Sequence, residues 1–309
     1  MLRFFAVCAL GACADLQTRA VDDVDDTDYW DSALVFVQHI DVPLLAGTGE
    51  LRSLGLSGIV SAVAATGNDL YFIDEGAGKL VYLSLATMQA KSLTTLRDAR
   101  SGGLHVGVDG SLFVIDRFNR EIIAFNPFQT ETRRYSLETL LGNPADVALT
   151  DFGQTLVVID ELDGRLVAID VFGGVLRLGQ AEPPGRSVLL SARAISATDY
   201  TVFVLDGEAG EVIGFDRRQQ AIGNFGADEL LHPVALAAGS CGRLFVADND
   251  ATGIYIGFAD MALPGFRVAV PELVGKQISD LWSDDTFLYV ATRFAGIFIF
   301  LIDPACQIR

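Results

Sequence analysis

The chain has 309 residues, half of them hydrophobic, with 31 glycines and a formal net charge of −18 at pH 7. That length and apolar content are enough to bury a sizeable core. The charge, with no basic cluster longer than Arg133-Arg134 or Arg217-Arg218, excludes a nucleic-acid interface, which needs concentrated positive charge to displace counterions. It also argues against the folded domain lying directly on anionic lipid.

The chain opens with a short basic start, Met1-Leu2-Arg3, and a small apolar stretch from Phe4 to Ala12. Because roughly 20 apolar residues are needed to cross a bilayer, residues 1–12 read as a signal peptide and not as a span. Later apolar runs are cut by Asp, Gly or Asn. Leu10-Gly11-Ala12-Cys13 resembles the bacterial lipobox, in which the cysteine is acylated and becomes the mature N-terminus. That resemblance implies a lipid anchor at Cys13. With Ala14 instead of Asp after the cysteine, it implies export to the outer membrane. Residues 13–32 are polar and acidic, as in Asp22-Asp23-Val24-Asp25-Asp26, and read as a tether between anchor and fold. The acidic run lacks the Gly turn and distal Glu of an EF-hand loop.

A strand at Ala33 to Ile40 comes next, and then a pattern of four apolar residues followed by Asp. It runs Leu70-Tyr71-Phe72-Ile73-Asp74, then recurs from Leu112, Leu156, Val202 and Leu244, and once more from Leu288 with Thr292 in place of the acid. Successive copies start 42, 44, 46, 42 and 44 residues apart. Each copy lacks polar alternation, which signals a strand covered on both faces. A strand and turn precede each copy, a polar or glycine-bearing turn and a third strand follow it, and most repeats add a weaker fourth. Four strands in about 44 residues, six times over, predict an all-β fold: a six-bladed β-propeller of four-stranded antiparallel blades. The last blade runs short, so the strand at 33–40 is expected to close the ring as the outer strand of the sixth blade. The domain then spans residues 33–309 and is expected to be monomeric. The recurring Asp reads as structural, its carboxylate accepting N–H groups of the following turn.

From Asn143-Pro144-Ala145-Asp146 to Asp160, and again from His232-Pro233-Val234-Ala235 to Asp248, the repeat resembles the NHL repeat. The resemblance covers about residues 50 to 303 and is specific for architecture, not for chemistry.

Of the four cysteines, Cys8 lies in the signal peptide and Cys13 is the lipidation site. Cys241 and Cys306 remain, in turns expected on the same face of neighbouring blades. A disulfide between them is geometrically open in an oxidising compartment, as are two separate thiols.

Superposing the repeats at the start of the innermost strand aligns Ser61, His105, Asp146, Ala194, Ala235 and Asp280, positions bordering the central channel. Asp146 and Asp280 fall three blades apart, on opposite sides, with His105 in the blade next to Asp146. Two carboxylates and an imidazole make a candidate divalent-metal or ligand site. Propeller hydrolases of the gluconolactonase type place metal ligands at such positions. This chain is similar to them in blade number only, with Pro144-Ala145-Asp146 where their Asn-Gly is expected. Peptidylglycine amidating lyases use several histidines, whereas only His39, His105 and His232 exist here. Nucleophile elbow, Walker loop and haem-attachment motifs are absent.

The expectation is therefore a noncatalytic scaffold at the cell envelope that binds an envelope protein and needs no cofactor. The alternative is a metal-dependent hydrolase or lyase acting on a lactone, ester or peptide-derived substrate in the channel. A small-ligand or glycan site would need loop aromatics such as Phe118 and Phe128.

Overall fold

The computed structural model describes residues 33–48, 50–99, 103–180, 183, 189–227, 229–239, 242–249, 253–261, 265–284 and 286–302. The expected signal peptide and tether, with Cys13, Cys241 and Cys306, lie outside these residues. An entering strand, β1 (Leu34–Ile40), precedes a short helix, α1 (Val42–Thr48). Blade 1 follows as β2 (Val60–Thr66), β3 (Asp69–Asp74), β4 (Lys79–Ser84) and β5 (Ala90–Thr95), and blade 2 as β6 (Leu104–Val106), β7 (Leu112–Asp116), β8 (Glu121–Phe125) and β9 (Glu131–Ser136). Blade 3 comprises β10 (Pro144–Thr150), β11 (Thr155–Asp160), β12 (Arg165–Asp170) and β13 (Val175–Gln180); blade 4 comprises β14 (Ala192–Ala197), β15 (Thr201–Asp206), β16 (Glu211–Asp216) and β17 (Ala221–Phe225). Blade 5 is β18 (Pro233–Ala238), β19 (Arg243–Asp248), β20 (Gly253–Phe258) and β21 (Phe266–Ala269), and blade 6 has β22 (Ile278–Ser283), β23 (Phe287–Thr292) and β24 (Gly296–Ile302).

Each blade is a four-stranded antiparallel sheet in sequence order, except the sixth, whose order is β1-β24-β23-β22. The ring closes as expected: β1 pairs with β24 from Leu34↔Ile302 to Ile40↔Ile297. Gly296 permits that approach. Its φ is +90°, and a Cβ there would stand 2.1 Å from the Ile40 carbonyl oxygen. α1 was not foreseen; its residue Val42 is fully buried, and with Ile40 it plugs the seam between blades 6 and 1.

The core consists of six clusters, one per seam between adjacent blades. β11 shows why the middle strands carry unbroken apolar runs. Its alternate residues Leu156 and Val158 pack toward blade 2, while Val157 and Ile159 pack toward blade 4, so neither face of the pleat meets water.

The recurring Asp does more than expected. Asp160, fully buried, accepts the N–H groups of Leu162 and Asp163 in the following turn, and also those of Gly142 and Asn143 in the loop that leads into its own blade. Asp74 and Asp206 repeat this two-sided clamp. Among the described residues, Thr292, standing in for the acid, donates its hydroxyl to the Gly296 carbonyl.

Candidate functional site

The innermost strand of every blade has one edge bonded to its neighbour and one edge facing the channel, where its N–H groups need acceptors. Side chains at two levels supply them.

At the lower level stand Asp146, paired with Ile159, and Asp280, paired with Ala291. Asp146 Oδ1 accepts from Gly103 of blade 2 (2.7 Å) and from Val147 (2.8 Å), and Oδ2 accepts from Ile195 of blade 4 (2.9 Å). Asp280 Oδ2 accepts from Val63 of blade 1 (2.9 Å), and Oδ1 from Leu281 (2.8 Å). Each carboxylate therefore ties its own blade to the next.

The upper level holds His105, Ser196 and Trp282, opposite Phe113, Phe203 and Tyr289 of their respective second strands. His105 Nε2 accepts from Leu149 of blade 3 (3.4 Å), Ser196 Oγ accepts from Ala238 of blade 5 (2.9 Å), and Trp282 Nε1 donates to the Ala65 carbonyl of blade 1 (2.9 Å). The His105 and Trp282 rings meet edge to face, with centroids 4.7 Å apart.

The repeat superposition needs correcting in two blades. In register, the counterpart of Asp146 is Ala62 in blade 1, paired with Ile73, and Gly103 in blade 2, whose carbonyl accepts from Ile115. Ser61 is the extra residue of a β-bulge that recurs at the same place in blades 3 to 6. His105 stands two residues further along and belongs to the upper level. Bulges and unequal hairpin turns shift a count made from sequence alone. Asp146 and Asp280 do face each other from blades 3 and 6, and both line the same cavity as His105. Among the described residues, no three His, Cys, Asp or Glu side chains converge as a metal-holding group. His39 lies on the outer strand, stacked on Phe298. Trp282 and Ser196 were missed because neither residue type recurs in the repeat.

Burial pushes the Asp146 carboxyl up to about 6. Burial, with the charge of Asp146 added to it, holds Asp280 well above the usual carboxylate range. His105 is pushed down to about 3 by burial, so its imidazole is neutral at pH 7, and the Leu149 contact places its proton on Nδ1.

The two levels form the floor and wall of a cavity of about 680 Å³. It opens on the face built by the turns between first and second strands, where Asp199 and Asp284 stand at the rim. None of the described residues lining it is Lys or Arg. Beside the lining residues Gly153 and Asp199, Phe152 and Tyr200 are 58% and 60% exposed and meet edge to face at 5.5 Å. The Arg217 guanidinium lies 4.8 Å from the Tyr200 ring centre and 6.0 Å from that of Phe152, and pairs with Asp151 at 2.9 Å. Asp151 and Phe152 both have positive φ, 55° and 54°, a left-handed turn that costs non-glycine residues on the order of 1 kcal/mol each. Phe128 is 82% exposed on the same face. Phe118 belongs to the opposite face, under Arg97.

No family model matches the chain, and no curated protein sequence matches it. Among solved structures it is similar to a catalytically inactive His-to-Ala variant of virginiamycin B lyase from Staphylococcus aureus with quinupristin, at 13% identity and a TM-score of 0.58 over 79% of this chain and 80% of that one. It is also similar to a streptogramin B lyase, at 11% identity and a TM-score of 0.59 over 79% and 93% of the two chains. A structural genomics protein of unknown function from Bacteroides thetaiotaomicron gives 11% identity and a TM-score of 0.59 over 79% and 70%. At such identities the likeness shows the β-propeller fold and nothing about activity.

Proposed function

We propose that this chain is a noncatalytic interaction module, an NHL-like propeller held at the cell envelope through lipidated Cys13, with the outer membrane as its address. Its partner is an envelope protein that docks over the channel mouth. The observation that carries this reading is the exposed Phe152–Tyr200–Arg217 cluster. Tyr and Arg dominate the energetics of protein interfaces, and here both pack against Phe152, which stands on a left-handed turn with Asp151. Two acyl chains or more hold a soluble domain at a bilayer, and the acidic tether gives the propeller reach.

A second reading, a metal-dependent hydrolase or lyase working in the channel, is favoured by two features. Asp146 titrates near 6, where a carboxylate serves as general acid or base, and two of the structural neighbours are lyases by name. Crosslinking and pull-down from native membranes, with metal analysis of the same material, separates the two. The scaffold reading expects one abundant partner, lost in a Tyr200→Ala plus Arg217→Ala variant, and no stoichiometric metal. Stoichiometric metal without a rim-dependent partner would overturn it.

A further inference from the structure

The channel cavity has a chemistry that the docking surface at the rim does not use. We propose that it is a binding site for a small organic cation, a primary amine carried on an apolar or aromatic body. The inference needs no partner at the rim and stands whether or not one docks there.

Acceptor capacity is the first support. An ionised carboxylate offers about four lone-pair positions. Asp146 commits three of them to the N–H groups of Gly103, Val147 and Ile195, and Asp280 commits two, to Val63 and Leu281. About three positions are left across the pair. A primary ammonium brings three donors.

The second support is the wall. Trp282 and His105 give it an aromatic side, and cations are drawn to aromatic faces. Asp199 and Asp284 add negative charge at the rim. Among the described residues, the cation acting on the pair is Arg117, which lowers Asp146. Its guanidinium is already committed to the Pro144 carbonyl and to Glu161. A volume of about 680 Å³ lies within the range of small-molecule sites and far exceeds what a bare metal ion fills.

A third consideration supplies the readout. Both carboxyls hold their protons to higher pH than usual because they are buried, and the charge of Asp146 adds to this at Asp280. An ammonium seated between them favours the ionised forms. Binding near pH 6, where Asp146 titrates, should therefore release protons, and affinity should rise with pH while His105 stays neutral.

The probe is phenethylammonium, titrated calorimetrically into the full chain in two buffers of different ionisation heat. Neutral 2-phenylethanol and anionic phenylacetate serve as matched controls. A Trp30→Phe background makes Trp282 the sole indole, so its emission reports where the probe sits. The expected result is binding of phenethylammonium with a Trp282 response and net proton release. 2-Phenylethanol should bind about tenfold weaker or less, and phenylacetate not at all, since the charge-assisted hydrogen bonds are lost. Asp280→Asn should lose about tenfold in affinity or more. Equal binding of 2-phenylethanol, binding without proton release, binding without an indole response, no binding, or a folded Asp280→Asn variant with parental affinity would each overturn the site. If Asp280→Asn does not fold, proton release and the indole response in the parent decide.

Discussion

The recurring acid at the end of each second strand can be tested against its own natural exception. Asp160 has no exposed surface and receives four backbone N–H groups, from Gly142 (2.6 Å), Asn143 (2.9 Å), Leu162 (2.8 Å) and Asp163 (3.4 Å). A hydrogen bond to a charged group is worth about 1.5–3 kcal/mol net. These donors sit in part-buried loops, so about half of them regain water when the carboxylate is removed. Asp160→Ala should then cost about 3–6 kcal/mol, a large share of a domain's usual stability of about 5–15 kcal/mol. Thr292 occupies the same position in blade 6, equally buried, but makes one neutral bond to Gly296. Thr292→Ala should cost about 1 kcal/mol. Urea unfolding followed by far-UV circular dichroism measures both, as midpoint shifts at unchanged slope. If Asp160→Ala is no more damaging than Thr292→Ala, the two-sided clamp is not what holds the loop entering blade 3.

Stability against pH carries two opposed signals from the channel. The Asp146 carboxyl holds its proton to about 6 when folded and to about 4 when unfolded, so its contribution is complete below about 4 and is lost as pH rises through 6. Asp280 acts in the same sense. His105, neutral down to about 3 when folded and titrating near 6.5 unfolded, contributes above about 6.5 and loses that contribution as pH falls toward 3. Unfolding midpoints between pH 4 and 7 should therefore rise with pH more steeply in Asp146→Asn than in the parent, and less steeply in His105→Gln; variant and parent curves that stay parallel would contradict both. Removal of residues 31 to 44 takes away β1 and uncovers β24, where Ile297 and Ile299 form part of the seam with blade 1. Size-exclusion chromatography should then show aggregate, and a soluble monomer would refute closure by β1.

The architecture was legible because it is repetitive and because the seams demand it. A strand squeezed between two neighbouring blades has no polar face, so six apolar runs at near-constant spacing mark six blades. The short last repeat and the unpaired strand at 33–40 imply each other in the same way, since an open ring would leave an edge exposed. The channel was harder to read. Asp146 and Asp280 were found, but Ser61 is the bulged residue next to Ala62 and His105 belongs to the upper level, because a bulged residue and turns of unequal length move the register without leaving a mark in composition. Trp282 escaped because it is a single event: it reaches from blade 6 past the small side chains of blade 1, Ala62 and Ala64, to meet His105 of blade 2. No periodic signal records a contact made once.

The small residues and the acids of the lower level explain each other. Ala62, Gly103, Ala194 and Ala235 occupy four of its six positions, and the two carboxylates occupy the others, three blades apart, where mutual repulsion is weakest and each can reach a neighbouring blade. Asp146 alone joins blades 2, 3 and 4 through three N–H groups. A carboxylate that gains charge accepts those hydrogen bonds more strongly, so whatever draws the pair into its ionised form, a rise in pH or a seated cation, also tightens the staples between blades. At high pH the gain is offset by burying two unpaired charges. A cation removes that offset, and the same residues that close the ring then favour an occupied channel over an empty one.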